Sequence, residues 1–254
     1  MNRSNEENVL VMKNNILLLM LLLPAVMAFS QNEKNIVFDA NAQVRKISAF
    51  RKVEVSGAID LFLSQGNEEA VAVSAADDDV LQKIRTEVRD NVLFIYLDTR
   101  GFSWKGWTNN KVKAYVTLKN LNHIEGSGAC NIKTTGKLKL SDLKIELSGA
   151  SDFTGDVAVS NMDISLNGAS ECKLSGTAIN ANINCTGASS FKAYEFETDY
   201  CKVGVSGAAS VRVTINKELK ARASGASSIS YKGEGLITDI SSSGASSVKH
   251  LKTD

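Results

Sequence analysis

The sequence predicts an all-β protein, a parallel β-helix or β-solenoid with coils of about 19 residues. The first observation is a triplet of a small polar residue, glycine and alanine, present at Ser56–Ala58 and seven more times after residue 126. The glycines of the later triplets are Gly128, Gly149, Gly168, Gly187, Gly207, Gly225 and Gly244, at spacings of 21, 19, 19, 20, 18 and 19 residues. Such a period is typical of a solenoid, whose coils bury their apolar faces against one another.

The second observation is that apolar residues keep fixed distances from each glycine. Four positions before it stand Ile145, Ile164, Ile183, Val203, Ala221 and Ile240. Four positions after it stand Ile132, Phe153, Cys172, Phe191, Val211, Ile229 and Val248. Polar residues separate these columns, and such alternation indicates strands with one buried face. An antiparallel sandwich would also alternate, but it would not hold the columns in register.

The third observation is the use of glycine and proline. The chain has 18 glycines and one proline, Pro24. A strand inside a solenoid donates its N–H groups to the next coil, which excludes proline. Each triplet glycine is expected at a corner, where unusual dihedral angles and a close backbone approach favour this residue, and Gly57 is assigned the same role. The apolar columns weaken near the end, at Ala223 and Ser242, as a terminal coil would.

The chain is expected to divide into three segments. Residues 1–30 form a signal peptide, residues 31–120 a β-rich capping unit, and residues 121–254 the solenoid, continuous with the unit before it. The predicted elements of the capping unit are strands at 50–63 and 70–75, a short helix after Asp77–Asp79, a hairpin around Arg89–Asn91 and a strand at 112–118. We expect this unit to cover the open end of the solenoid.

The export signal is predicted from the first 31 residues. Lys13 precedes an apolar run from Ile16 to Leu23, and small residues follow, with cleavage after Ala28 or Ser30. This arrangement is typical of a secretory signal peptide, and the run is shorter than the roughly 20 residues of a membrane span. We therefore expect an exported protein, in the periplasm, at the cell surface or outside the cell, with no transmembrane segment in the mature chain; an uncleaved membrane anchor is the alternative.

The order of these features resembles a known family. The segment FRKVEVSGAIDLFLSQG at Phe50–Gly66, followed by a strand, a short helix, a hairpin and the Ser-Gly-Ala coils, is similar to the putative auto-transporter adhesin, head GIN domain family. The resemblance spans residues 36–250. It implies a β-helical protein exported by bacteria of the Bacteroidetes type, and it carries over no catalytic residue.

Four cysteines raise the question of disulfides, because an even number in an exported chain suggests pairing. Cys172, Cys185 and Cys201 stand in columns otherwise filled by apolar residues, and Cys130 stands in a serine column. We therefore expect free thiols in the core; one disulfide is the alternative. No C-x-x-C motif supports a metal site.

Two polar ladders flank the glycines. The first precedes each glycine and the second, with Ser151, Ser170 and Ser189, follows two positions later. We expect these side chains to bond to the corner backbone or to one another; a flat polar strip for a sugar is the alternative.

The catalytic candidates are few. Asp152 and Glu171 share a column and are expected about 5 Å apart, as a paired carboxylate site would require, but we favour an exposed pair. His123 and His250 are far apart in the repeat ladder, which argues against a His-based triad or a two-His metal site. Trp104 and Trp107, between two strands, are the candidate ligand-binding residues; the alternative is that one of them plugs the solenoid end.

These features together predict a non-enzymatic envelope protein that acts as a binding or adhesion module for a glycan or a protein partner. A polysaccharide-processing β-helix enzyme and a self-assembling structural element are the alternatives, and a homo-oligomer is left open. With 29 basic against 28 acidic residues, the chain lacks the basic excess typical of nucleic-acid binding. No cofactor or metal is expected.

Overall fold

The computed structural model describes Asp39, residues 41–100 and residues 111–252. The predicted signal peptide lies outside the described residues. The elements are β1 (Gln43–Arg45), β2 (Lys52–Gly57), β3 (Ile59–Gln65), β4 (Ala70–Ser74), α1 (Asp78–Lys83), β5 (Ile84–Arg89), β6 (Val92–Leu97), β7 (Val112–Leu118), β8 (His123–Gly128), β9 (Asn131–Lys139), β10 (Asp142–Leu147), β11 (Asp152–Leu166), β12 (Glu171–Cys185), β13 (Ser190–Val205), β14 (Ser210–Ala223), β15 (Ser228–Lys232), β16 (Leu236–Ser242) and β17 (Ser247–His250).

The strands from β8 onward stack in parallel, one coil on the next, which confirms the predicted solenoid. Strand β10 pairs with β11, β11 with β12, β12 with β13 and β13 with β14. The register places Ile145, Ile164 and Ile183 on one another, and all three side chains are buried. The column predicted from the sequence is therefore a continuous ladder of core residues.

Part-way along β11, β12 and β13, the alternation of inward-facing and outward-facing side chains shifts by one residue. In β11 the buried side chains are Phe153, Val157 and Val159, and then Met162, Ile164 and Leu166. The even spacing of two is broken between Val159 and Met162, so the coil bends there. We call the outward side formed by β8, β10 and the second halves of β11, β12 and β13 the front face.

The corner glycines have positive φ, with values such as +75° at Gly149 and +73° at Gly168. Successive corners also touch: the Ala169 N–H donates to the Gly149 carbonyl at 2.8 Å. A Cβ placed on Gly168 would lie 2.6 Å from that same carbonyl oxygen. The corner thus needs glycine both for its backbone angle and for its close contact with the coil beneath.

The serines that follow the corners are buried. Ser151 Oγ donates to the Ser148 carbonyl at 2.9 Å, and Ser170 Oγ donates to the Asn167 carbonyl at 2.8 Å. These bonds give the buried serine hydroxyls the hydrogen-bond partners that buried polar groups need. The second polar ladder therefore serves the corner backbone and is not a surface strip.

The first coil of the sequence does not lie at the end of the stack. Strand β2 pairs in parallel with β8, placing Gly57 on Gly128, and it also pairs in parallel with β6. Strand β3 likewise pairs in parallel with both β7 and β9. The coil of residues 52–65 is thus held between a coil of later strands on each side. The proposed boundary near residue 120 stays a prediction.

Antiparallel strands and the helix lie at the β6–β7 end. Strands β5 and β6 form a hairpin, with Asp90 and Asn91 at φ of 50° and 61°, the angles of a type I′ turn. Strand β4 pairs antiparallel with β7, and β1 with β4. Helix α1 begins after Asp77, whose Oδ1 accepts from the Asp79 N–H at 2.7 Å.

The opposite end of the stack exposes its last coil. Every residue of β16 is exposed, including Leu236 at 72% and Ile240 at 52%. Ile240 pairs with Ala221 in the register that buries Ile183 and Val203 deeper in the stack. Its exposure follows from its terminal position, because no further coil covers it within the described residues.

All four cysteines are buried and free. Burial raises the pKa of Cys185 and of Cys201 to about 12, and burial raises the pKa of Cys172 as well. Cys130 Sγ donates to the hydroxyl of Ser151, the next residue in its column, at 3.2 Å. The thiols are therefore core groups, as the sequence predicts.

We expect the native protein to react negligibly with a thiol reagent at neutral pH, because a buried thiol is both protonated and inaccessible. After denaturation without reductant, four thiols per chain should titrate. Quantitative thiol titration in the native and denatured states checks this expectation, and two thiols in the denatured chain would show that a disulfide is present.

Candidate functional site

A shallow groove with a volume of about 590 Å³ runs along the front face. Its floor includes Leu143, Met162 and Ala181. One wall is made by Asp142, Asn161 and Asn180, and the other by His123, Lys144, Asp163 and Asn182. We call this feature the amide groove. Because its lining comes from successive coils, its long direction is parallel to the solenoid axis.

The first wall is a hydrogen-bonded ladder. Asn161 Nδ2 donates to Asp142 Oδ1 at 2.7 Å, and Asn180 Nδ2 donates to Asn161 Oδ1 at 2.9 Å. Hydrogen bonds from Ser141 and Asn161 hold the pKa of Asp142 below its usual range. The ladder leaves one amide N–H and spare acceptor lone pairs on each asparagine for a ligand.

The same column continues into an aromatic side chain. Asn180 pairs with Tyr200 in the register between β12 and β13. Tyr200 is 44% exposed, and Lys217 Nζ lies 5.4 Å from the centre of its ring. An exposed aromatic ring therefore follows directly on a ladder of amides.

Charged side chains of neighbouring coils meet at the β8 end of the groove. Lys52 Nζ lies 2.5 Å from Glu125 Oε2 and 3.4 Å from Glu54 Oε2. His123 Nε2 lies 2.6 Å from Glu146 Oε2, and Lys144 Nζ lies 2.9 Å from Glu146 Oε1. We call these six residues the charged cluster. Each of its three carboxylates is in contact with a lysine, Glu54 and Glu125 with Lys52 and Glu146 with Lys144.

Among the described residues, one group of side chains has the types and spacing of metal ligands, namely His123, Glu125 and Glu146. Their ligand atoms lie within 4.8 Å of one another. Lys52 and Lys144 contact the two carboxylates, so a cation would have to compete with ammonium groups already in place. We therefore assign no metal ion to these three residues, and the expectation that the protein binds no metal stays a prediction.

Burial and the nearby Lys52 hold the pKa of His123 below its usual value of 6.5. The pKa of His123 is thus lower in the folded protein than in the unfolded chain. The contribution of His123 to stability is therefore complete above the unfolded pKa, about 6.5, and is lost as the pH falls through the folded pKa. We expect Lys52→Met to raise the pKa of His123, because it removes a neighbouring positive charge. NMR titration of the imidazole checks this.

Lys220→Met is the matched control for this titration, because Lys220 occupies the same column farther along the stack. An unchanged His123 pKa in Lys52→Met would show that the lysine does not act on the imidazole.

The predicted carboxylate pair is brought together by the fold. Asp152 and Glu171 are paired in the register between β11 and β12. Glu171 contacts Lys173 at 2.8 Å and Lys192 at 2.5 Å, and hydrogen bonds from these two lysines lower its pKa. A general acid needs the opposite shift. The pair is therefore an element of surface charge balance.

Of the remaining predicted residues that the structure describes, His250 lies outside the groove. Trp104 and Trp107 fall outside the described residues. His250 stacks on Tyr231 at 4.6 Å near the last coil, whereas His123 is in β8, so the structure does not bring the two histidines together. The groove walls were missed by the sequence prediction, although a signal existed: Asp142, Asn161, Asn180 and Tyr200 all stand seven positions before a corner glycine.

The model of the family described as "Putative auto-transporter adhesin, head GIN domain" matches residues 49–235. The chain belongs to this family. The match covers β2 to β15 and the whole amide groove. No curated protein matches the chain.

Solved structures resemble this head GIN domain chain in fold. "A putative adhesin" from Bacteroides fragilis is 21% identical with a TM-score of 0.76, covering 83% of this chain and 96% of that one. A "putative lipid binding protein" from Parabacteroides distasonis is 20% identical with a TM-score of 0.64, covering 84% and 98%. "A putative adhesin" from Parabacteroides merdae is 19% identical with a TM-score of 0.60, covering 83% and 95%. At these identities the likeness concerns the fold alone.

Proposed function

We propose that this protein is an exported, non-enzymatic envelope protein that acts as an adhesion module and binds a glycan in the amide groove. The observation that carries the proposal is the groove itself, with a ladder of amides on one wall and an exposed tyrosine in the same column. A few polar groups that converge near an aromatic ring are typical of small-molecule recognition. Membership of an adhesin family supports a binding role.

The proposal that the protein is not a glycan-cleaving enzyme is supported by the pKa values of two surface carboxylates. The pKa values of Asp142 and Glu171 are lowered by hydrogen-bonding neighbours. A glycan-cleaving site needs one carboxylic acid held protonated beside a second carboxylate. Neither of these two acids meets that need.

The exported part is supported by the signal-like first 30 residues and by the family, whose members are described as adhesins. In the part of the chain that the structure describes, no helix has the length and apolar character needed to cross a bilayer.

The test is a glycan-array screen of the chain beginning at Gln31, with bound glycans then incubated and checked for cleavage. Binding that Asn161→Ala abolishes, with no cleavage, supports the proposal. Asn184→Ala is the control, because Asn184 is exposed on the same face but does not line the groove. Cleavage that Asp152→Asn or Glu171→Gln abolishes would replace it with the enzyme alternative.

The proposed contact at Trp104 and Trp107 is tested on the same array. A Trp104→Ala, Trp107→Ala double variant that loses binding while Asn161→Ala retains it would move the contact surface to this loop. Full binding by the double variant would remove the loop from consideration.

A second candidate function, end-to-end assembly, is favoured by the exposed apolar residues of the last coil. Leu236, Ile237 and Ile240 are all exposed in β16, and solenoid ends are open to strand pairing with another chain. Growth in light scattering with protein concentration, abolished by Ile240→Lys, would support assembly. A monomer at every concentration would exclude it.

A further inference from the structure

We propose that the ligand of the amide groove is a neutral, linear glycan that lies parallel to the solenoid axis and stacks one sugar ring on Tyr200. This inference rests on the proposed function and specifies the chemistry and the direction of the ligand. Its three parts, direction, neutrality and stacking, each follow from a separate observation.

The direction follows from the repetition of the first wall. Asp142, Asn161, Asn180 and Tyr200 are successive partners in register, so each step along the wall is one strand spacing, about 4.8 Å. The column from Asp142 to Tyr200 therefore spans about 14 Å, three such steps. The groove lining on this wall ends at Asn180, and Tyr200 is the next residue of the column. A wall that offers a polar side chain at each of three successive steps, Asp142, Asn161 and Asn180, suits a polymer with a repeated hydroxyl pattern. A monosaccharide would contact only one or two steps.

The neutrality follows from the charges that line the groove. Asp142 and Asp163 present carboxylates from opposite walls. The two cationic candidates among the lining residues, His123 and Lys144, both contact Glu146. A uronate or sulfate group in the groove would face two carboxylates without a free cation among the lining residues. Hydroxyl groups, in contrast, can donate to both carboxylates and exchange hydrogen bonds with the amides.

The stacking follows from the position of Tyr200. Its ring is half-exposed and stands at the end of the amide ladder. Lys217, which lies over the ring, is paired with Asp199 at 2.6 Å, so this cation is already compensated. An exposed aromatic side chain offers an apolar surface with a polar tip, which matches the apolar face and hydroxyl rim of a sugar ring.

Calorimetric titration of the chain beginning at Gln31 tests the inference. Linear gluco-, manno- and xylo-oligosaccharides of one to six residues are compared with oligogalacturonides of the same lengths. We expect neutral oligosaccharides to bind and their affinity to rise with length until the chain spans the ladder. Tyr200→Ala should weaken binding about tenfold.

Tyr194→Ala is the matched control for this substitution. Tyr194 also has a lysine over its ring, with Lys232 Nζ at 5.0 Å, but it does not stand in the register column of Asp142, Asn161 and Asn180, which Tyr200 continues. Its loss should leave the affinity unchanged. Circular dichroism and thermal unfolding verify that both variants are folded.

The outcomes separate this inference from the proposed function. Tighter binding of oligogalacturonides, an affinity that does not change with length, or an unchanged affinity in Tyr200→Ala would overturn the inference while leaving glycan binding in place. If no glycan on the array and none of these oligosaccharides binds, both the inference and the proposed function are overturned.

Discussion

Replacing Gly168 by alanine is expected to lower the free energy of unfolding by about 3 kcal/mol or more. Gly168 has φ of +73°, where an L-residue costs roughly 1–2 kcal/mol. The added Cβ would lie 2.6 Å from the Gly149 carbonyl oxygen, which is the acceptor of the Ala169 N–H. The methyl group therefore forces two coils apart at the point where their backbones are hydrogen-bonded.

Gly136→Ala is the matched control. Gly136 has φ of +84°, and a Cβ there meets no atom within 4 Å. This variant should lose only the conformational part, roughly 1–2 kcal/mol. Urea unfolding followed by circular dichroism measures both variants. Equal losses would mean that the contact between corners does not constrain the residue type.

Phe191→Ala is expected to destabilise the fold by about 3–5 kcal/mol, the usual range for a buried phenylalanine. Phe191 is fully buried and meets Phe196 edge to face at 6.4 Å. The cavity would open in the middle of the stack, where the coils on both sides are hydrogen-bonded and cannot collapse into it. Its register partner in the preceding coil is the much smaller Cys172.

Cys172→Ala is the control for that cavity. It removes one sulfur atom from the same core column, so the loss should be clearly smaller than for Phe191→Ala. The two unfolding curves in urea are compared at one temperature. If both variants lose a similar amount of unfolding free energy, the loss does not depend on the volume that is removed from the core column.

The coil period and its columns could be predicted because each coil repeats the same demands. Ile145, Ile164 and Ile183 meet the same core and Gly149, Gly168 and Gly187 form the same corner, so one register recurs in the sequence. The place of β2 between β6 and β8 could not be predicted. Only the Ser-Gly-Ala at Ser56–Ala58 marks that coil as one of the series, and nothing in the order of residues states which coils it touches.

The candidate site could be predicted from the same alignment of coils if the outward-facing positions were compared as well as the inward-facing ones. Asp142, Asn161 and Asn180 share one distance from their glycines, as do Lys144 and Asp163. The charged cluster could not be predicted in this way, because Lys52 and Glu54 are brought to Glu125 only by the pairing of β2 with β8. Contacts between coils distant in sequence depend on topology, which local patterns do not encode.

The position of β2 and β3 inside the stack has a consequence for how the chain acquires its structure. From β10 onward each coil can be laid on the one before it, as in a simple repeat protein. The coil of residues 52–65 cannot, because its partners on both sides, β6 to β9, are made later. Its edges stay unpaired until residues 92–139 have wrapped around it, so the folding nucleus contains long-range contacts and forms slowly. Truncation from the carboxyl end would shorten the stack, whereas loss of β2 and β3 would remove an inner coil and leave β6 and β7 without their parallel partners.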